Sequence, residues 1–273
     1  MLDIDTKIGF IGAGNMSSAL VGGLIASGYP AEQIYIADPN SGNTSRLASN
    51  HGVVVANSNT ELASQVQIII LGVKPQYVSP VCVEIAESIK AAVIVSVAAG
   101  IPVASIASCF ASDQAIVRVM PNTPALISKG ASGLFANAHV SAAQLEQISQ
   151  IFNSVGQSCW IEDEANMDLV TAISGSGPAY FFYLAECMID SAISQGLSRE
   201  QAELLINQTA LGAASMLKQS SKSATELREA VTSPGGTTAA ALTHLQSANF
   251  NELVDGMITA AVTRGQQLAK DDC

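Results

Sequence analysis

Six short runs in the first half of the chain are continuously apolar and rich in β-branched residues: KIGFIG, QIYIA, VVVA, VQIIILG, AVIVSVA and AIVRVM. Side chains of a strand alternate between its two faces, so a run that is apolar throughout is covered on both. Between the runs lie stretches of helical period, among them SALVGGLIASG and QYVSPVCVEIAESI. Strands buried on both faces and alternating with helices leave few architectures open. The pattern predicts an α/β fold: a doubly wound parallel sheet with right-handed crossovers.

The alternation stops near residue 164. PAYFFYLAECMIDSAISQGL, SREQAELLINQTALGAASMLKQ and NELVDGMITAAVTRGQQLAK read as long helices. Pro178 suits a first helical turn, and Ser198 followed by Glu200 and Gln201 suits a helix start. Ala, Gly and Ser recur on these helices, which lets backbones approach closely, and no short period points to solenoid repeats. The expected domains are residues 1–163, α/β, and residues 164–273, all helical. One uncharged stretch, AAVIVSVAAGIPVASIASCFA at residues 91–111, reaches membrane-spanning length. Gly100 and Pro102 interrupt it, and it reads as a buried strand, a turn and a helix.

Hydrophobic residues make up 48% of the chain and charged residues 13%, too apolar a mixture for disorder. The net charge of −11 argues against nucleic acid and anionic lipid as partners, since both require basic surfaces. An anionic ligand must therefore be held locally, by backbone amides and a few placed cations. The five cysteines, Cys82, Cys109, Cys159, Cys187 and Cys273, are scattered and form no CxxC. They fit free thiols in a reducing compartment. His51, His139 and His244 have no Cys or His at ligand spacing, and no metal site is expected. The opening MLDIDTKIGFIG has no basic segment of the signal-peptide kind, so the expected location is cytoplasmic.

The first strand runs into GAGNMSSALVGGL, with Gly12 and Gly14 spaced as in the dinucleotide fingerprint. Gly12 suits the tight turn, and Gly14 the close approach of a pyrophosphate to the helix N-terminus. The third position holds Ser17 in place of Gly or Ala. The second strand ends in IYIADPNSGNTSR, where Asp38 stands in the place of an acid that pairs with a ribose 2′-hydroxyl, as in NAD. Asn40, Ser41, Asn43, Thr44 and Arg46 follow at once and suit a 2′-phosphate, so these residues leave both nucleotides open. Lys74 and the turn VAAG at 97–100 follow the fourth and fifth strands, at the carboxyl edge where such sheets bind ligands.

A second glycine turn, SPGGTT at 233–238, leads into the helical AAALTHLQ. Two readings stand side by side. One is a helix entrance whose free N–H groups bind an anion, helped by the Thr237 and Thr238 hydroxyls. The other is a plain turn with a capping threonine.

Taken in order, IGFIGAGNM, VKPQ, SVAAGI, RVMPNTPA, SGSGPAYFF and LREAVTSPGGTTAAAL resemble the pyrroline-5-carboxylate reductase family over nearly the whole chain. That resemblance implies reduction of the imine 1-pyrroline-5-carboxylate to L-proline, the last step of proline biosynthesis. It implies NADPH as donor, with NADH also usable. It also implies an N-terminal Rossmann domain, a helical dimerisation domain, and a homodimer or higher ring. By motif, Ile11, Gly12, Ala13, Gly14, Asn15 and Met16 would hold the pyrophosphate, with Asp38 and Asn40 at the adenosine ribose. Asn59, Val73, Lys74 and Pro75 would line the adenosine side, and Ala98, Ala99 and Gly100 would flank the nicotinamide. Glu164 falls where the family has an acid near the substrate and nicotinamide ribose. Ser176 is assigned to the substrate pocket. Ser233, Gly235, Gly236, Thr237 and Thr238 form the family's substrate loop, with Thr238 the catalytic candidate. The segment SSKSATELREAV lacks the Gly-Glu-His-Pro run of many members, which is expected to alter a loop and not the chemistry. A related β-hydroxyacid dehydrogenase would need a catalytic lysine, and residues 164–195 contain none. A nucleotide sensor would have no use for a second polar glycine loop.

Overall fold

The computed structural model describes residues 3–271. The six apolar runs are strands β1 (Ile8–Ile11), β2 (Ile34–Ala37), β3 (Val54–Val55), β4 (Ile68–Leu71), β5 (Val93–Ser96) and β6 (Ile116–Met120). Two more, β7 (Gly130–Ala136) and β8 (Gly156–Trp160), extend the sheet to the order β3-β2-β1-β4-β5-β6-β7-β8. The order reverses between β1 and β4, the topological switch point of a doubly wound sheet. All pairings are parallel except β6 with β7. The sheet is thus the doubly wound, predominantly parallel one expected from the sequence, with a single antiparallel pairing.

Helices α1 (Asn15–Ala26), α2 (Ser41–His51), α3 (Asn59–Gln65), α4 (Val78–Ile85), α5 (Val103–Ala107) and α6 (Ala142–Asn153) wind around the sheet. Strand alternation divides the core in two. Ile8, Phe10, Ile68 and Ile70 point to one side, packed with Leu20 and Leu24 of α1 and with Ile148 and Phe152 of α6. Ile11, Ile69 and Leu71 point to the other, packed with Leu62 of α3, Ile85 of α4 and Ile106 of α5. Residues 91–111 form β5, a turn and α5, as the interruption at Gly100 and Pro102 predicted. Among the described residues no helix is long and apolar enough to cross a membrane.

After β8 come α7 (Met167–Val170), a π-helical turn at Thr171–Gly175, and then α8 (Gly177–Ser194), α9 (Arg199–Gln219), α10 (Ala224–Ala230), α11 (Thr237–Ser247) and α12 (Phe250–Asp271). Ser198 caps α9 with the expected reciprocal bonds to Gln201. By compactness the chain divides after Ser176. One unit comprises the residues to 176 together with those from 261 onward, and the other comprises residues 177–260. The division falls beyond the 163/164 boundary read from the sequence, because residues 164–176 pack with the sheet. Met167 and Ala172 are fully buried, and Val170 sits so close to Gly133 of β7 that a Cβ there would lie 2.5 Å from its methyl carbon.

Candidate functional site

The register aligns Ile11 with Ala37 and with Leu71, and Leu71 with Ser96, so the turns after β1, β2, β4 and β5 leave one edge of the sheet. At Gly12 the backbone has φ +93°, and a Cβ would lie 2.8 Å from the Gly72 carbonyl. Both facts demand glycine. Gly14 is the N-cap of α1, has no side-chain cap, and no atom lies within 4 Å of where its Cβ would be. With no acid in the first turn, this helix start has room and unsatisfied donors for an anion. Asn15 is exposed and Met16 half-buried, on the same turn. Ser17 takes the fingerprint's third place by leaning on Gly72, whose Cβ would meet its Oγ at 2.2 Å.

Asp38 does more than stand at the end of β2. Its Oδ2 accepts from the Ala13 N–H at 2.7 Å, and its Oδ1 from the Asn40 N–H at 2.7 Å. The carboxylate thereby ties the glycine turn of β1 to the loop after β2. Beside it lies a cleft of about 520 Å³, lined among others by Gly12, Asp38, Asn59, Val73, Tyr77 and Glu84. The Asn59 amide donates to Glu84 Oε2 at 2.8 Å. Asp38 and Glu84 are the only charged residues in the lining.

Some expected members stand apart from this cleft. The Asn40 side chain caps α2 by accepting from the Gly42 N–H. Lys74 is exposed, and Pro75 opens the short turn into α4, lining a smaller hollow of about 240 Å³ with Ile101 and Ile106. Ala13 is buried beneath the glycine turn, whereas Ile11, also buried, lines the cleft itself. At the end of β5, Ala98 is buried with its N–H on Ser96 Oγ, Ala99 is exposed, and Gly100 turns the chain at φ +80°.

Arg118, on β6, lies in the apolar run AIVRVM and opens the motif RVMPNTPA, and the sequence alone assigns it no role of its own. It is 6% exposed and pairs with Glu164 Oε1 at 3.1 Å and with Asp168 Oδ1 at 3.5 Å. Glu164 Oε1 also accepts from the Val103 N–H at 2.8 Å, the first residue of α5. That oxygen is committed to holding α5 and Arg118 together. A lone arginine in a buried strand was the signal available, since such a charge has to find a carboxylate. Farther along, Asn122 donates to the Ser174 carbonyl at 3.1 Å and accepts from the Ala131 N–H at 2.9 Å. Ser176 closes the π-helical turn, its N–H on the Thr171 carbonyl at 2.8 Å.

In the helical unit, the SPGGTT turn joins α10 to α11. Gly235 has φ +69°, and the Gly236 N–H donates to the Ser233 carbonyl at 3.0 Å. Gly236 is the N-cap of α11, with no side-chain cap and no acid in the first turn. The capping-threonine reading is thereby set aside, because neither hydroxyl caps this entrance. Ser233 and Thr237 are exposed and Thr238 is half-buried.

Residues 164–268 match the family described as pyrroline-5-carboxylate reductase dimerisation. Residues 7–100 match the family described as NADP oxidoreductase coenzyme F420-dependent. A pyrroline-5-carboxylate reductase from Pseudomonas aeruginosa is 48% identical over 265 residues, covering 97% of each chain. Among solved structures, a pyrroline-5-carboxylate reductase from Coxiella burnetii superimposes with TM-score 0.94 at 38% identity, over 96% of this chain and 98% of that one. A pyrroline carboxylate reductase from Plasmodium falciparum, solved with NADP bound, gives TM-score 0.85 at 32% identity, over 97% and 98%.

Proposed function

The chain belongs to the pyrroline-5-carboxylate reductase family, and from that premise we propose how its residues divide the work of reducing 1-pyrroline-5-carboxylate to L-proline. The observation that carries the division is a pair of uncapped helix entrances. Each follows a glycine at positive φ, Gly12 before α1 and Gly235 before α11, and neither has an acid in its first turn. Such entrances hold anions without a buried cation, which suits a protein of net charge −11.

The first entrance suits the pyrophosphate of a nicotinamide nucleotide, with the adenosine in the cleft between Asp38 and Val73. The residues fit that group: Gly14 leaves open space, and Asp38 holds the turn in place. When bound, the reduced nicotinamide supplies the hydride. The second entrance suits the carboxylate of the imine, held by the N–H groups of Gly235 and Thr237, since Pro234 has none and that of Gly236 already donates to the Ser233 carbonyl. Thr238 would hydrogen-bond the ring nitrogen and guide a proton there. Glu164 acts through Arg118 and α5, as a support for the turn at Ala98–Gly100, and Ser176 shapes the segment that enters the helical unit.

For the donor, the resemblance points to NADPH. The two carboxylates of the cleft oppose a 2′-phosphate, while the polar run from Asn40 to Arg46 attracts one. We place both NADPH and NADH among its donors. The scattered thiols, none of them in a CxxC, favour a reducing compartment such as the cytoplasm. Oxidation of each nucleotide is to be followed with pyrroline-5-carboxylate and, in parallel, with 3-hydroxyacid semialdehydes. Turnover is expected with the imine and with both nucleotides. Turnover of the semialdehydes alone would overturn the reading, and inactivity with NADH would overturn the nucleotide assignment.

A further inference from the structure

Helices α4 and α5 pack against one another on one face of the sheet, and two cysteines meet at that contact. Cys82, on α4, is fully buried in the apolar cluster. Cys109, in the turn after α5, is half-buried against the same cluster. Its sulfur lies 3.7 Å from Ser79 Oγ and 3.8 Å from the Ser105 carbonyl. Ser79 precedes Cys82 by one turn of α4, so the Cys109 sulfur rests on the face that carries Cys82. Burial, and then the neighbouring Cys109 thiol, push the Cys82 pKa up to about 12. No step of the reduction uses either sulfur.

We propose that Cys82 and Cys109 are an oxidisable dithiol, which hydrogen peroxide converts into a disulfide joining α4 to α5. Cys109, the more accessible of the two, meets the oxidant. Its sulfur attacks the peroxide, an S–O bond forms and the O–O bond breaks, leaving a sulfenic acid and one water. The Cys82 sulfur then attacks the Cys109 sulfur. The S–S bond forms, the S–O bond breaks, and the departing hydroxide takes the Cys82 proton as a second water. The two thiols lose two electrons and the peroxide gains them. Cys82 is fully buried and so out of reach of bulk oxidant, which leaves it for the second step, at the sulfur of the more accessible Cys109. The bond ties together the helices that follow the turns at Val73–Pro75 and Ala98–Gly100.

The test treats the full-length reduced protein with hydrogen peroxide, digests it without reductant, and reads the peptides by mass spectrometry. A cross-linked pair containing Cys82 and Cys109 is expected, and dithiothreitol should remove it. The exposed Cys159 and Cys187 report ordinary oxidation in the same sample. In Cys82→Ala, Cys109 should instead accumulate as a sulfenic acid trapped by dimedone. Because that variant changes the core, Cys109→Ser at the half-buried position serves as the second, and it should abolish the cross-link while its unfolding transition is retained. Sulfenic or sulfinic acid at Cys109 of the unaltered protein without the cross-link would overturn the proposal. So would a Cys82 cross-link that survives in Cys109→Ser.

Discussion

Gly14 contributes nothing to packing: no atom lies within 4 Å of the place its Cβ would take. Gly14→Val should therefore fold, while its branched side chain fills the space in front of α1. Nucleotide binding, followed by fluorescence titration, is expected to be lost, and a folded variant that binds undiminished would refute the role given to this turn. Thr238 is argued to act on the substrate nitrogen in the transition state. Thr238→Ala should lower kcat by about one to two orders of magnitude, at roughly 1.4 kcal/mol per factor of ten. Nucleotide affinity should hardly change, since the residue belongs to the other compact unit. A wild-type kcat would reduce Thr238 to a helix-entrance residue. Glycines 12 and 14 were legible in the sequence because only glycine tolerates a positive φ or leaves open space for a phosphate. The grip of Asp38 on Ala13 was not legible. Its partner is 25 residues away, and the two meet only through the register of β1 with β2.

At the scale of elements, Arg118 fastens β6 to the segment that leads out of the sheet. Removing it strands Glu164 and Asp168, whose side chains are 26% and 19% exposed. Arg118→Met should lower stability by about 3 kcal/mol, the low end of the range for breaking a buried pair, because water still reaches both acids. Denaturant unfolding measures this, and an unchanged midpoint would mean that the carboxylates relax into solvent. The Val103 N–H loses a well-fixed acceptor in the same variant, so α5 is where the change should be felt first. The six strands were legible because β-branched runs have no other comfortable place, although β3, at the sheet's edge, is not covered on both faces as its apolar run suggested: Val55 is 46% exposed. Strands β7 and β8 were not, for GASGLFA and GQSCW carry almost no apolar pattern. Their glycines serve contact instead. A Cβ on Gly156 would lie 2.0 Å from the Gly130 carbonyl oxygen, and one on Gly133 would strike Val170. Close backbone approach shapes this end of the sheet, and hydropathy does not register it.

For the whole molecule, the telling fact is how little the helical unit buries. Of residues 177–260 only Gly177 and Ala202 are buried. Phe181 is 74% exposed, Tyr183 68% and Leu204 65%, all on helices α8 and α9. Covering a large apolar side chain is worth about 1.5–3 kcal/mol, so a unit exposing so many forgoes most of the stabilisation a core supplies. The match to a dimerisation family over residues 164–268 supports oligomerisation, and the exposed faces say what drives it. We expect a second copy to supply complementary helices through a two-fold contact, in which the same patch serves both chains. Small residues such as those of TALGAASML and DGMITAAVT would let the helices of two such copies approach closely. The domain's helical character was legible in its sequence. Its incompleteness was not, because an apolar helix face looks the same whether its cover comes from its own chain or from another. We therefore expect an obligate homodimer, open to further assembly into rings, whose stability rises with protein concentration. Light scattering and activity, measured together across a dilution series, should fall in step as the chains separate. A monomer that keeps full activity would show that these faces close within a single chain.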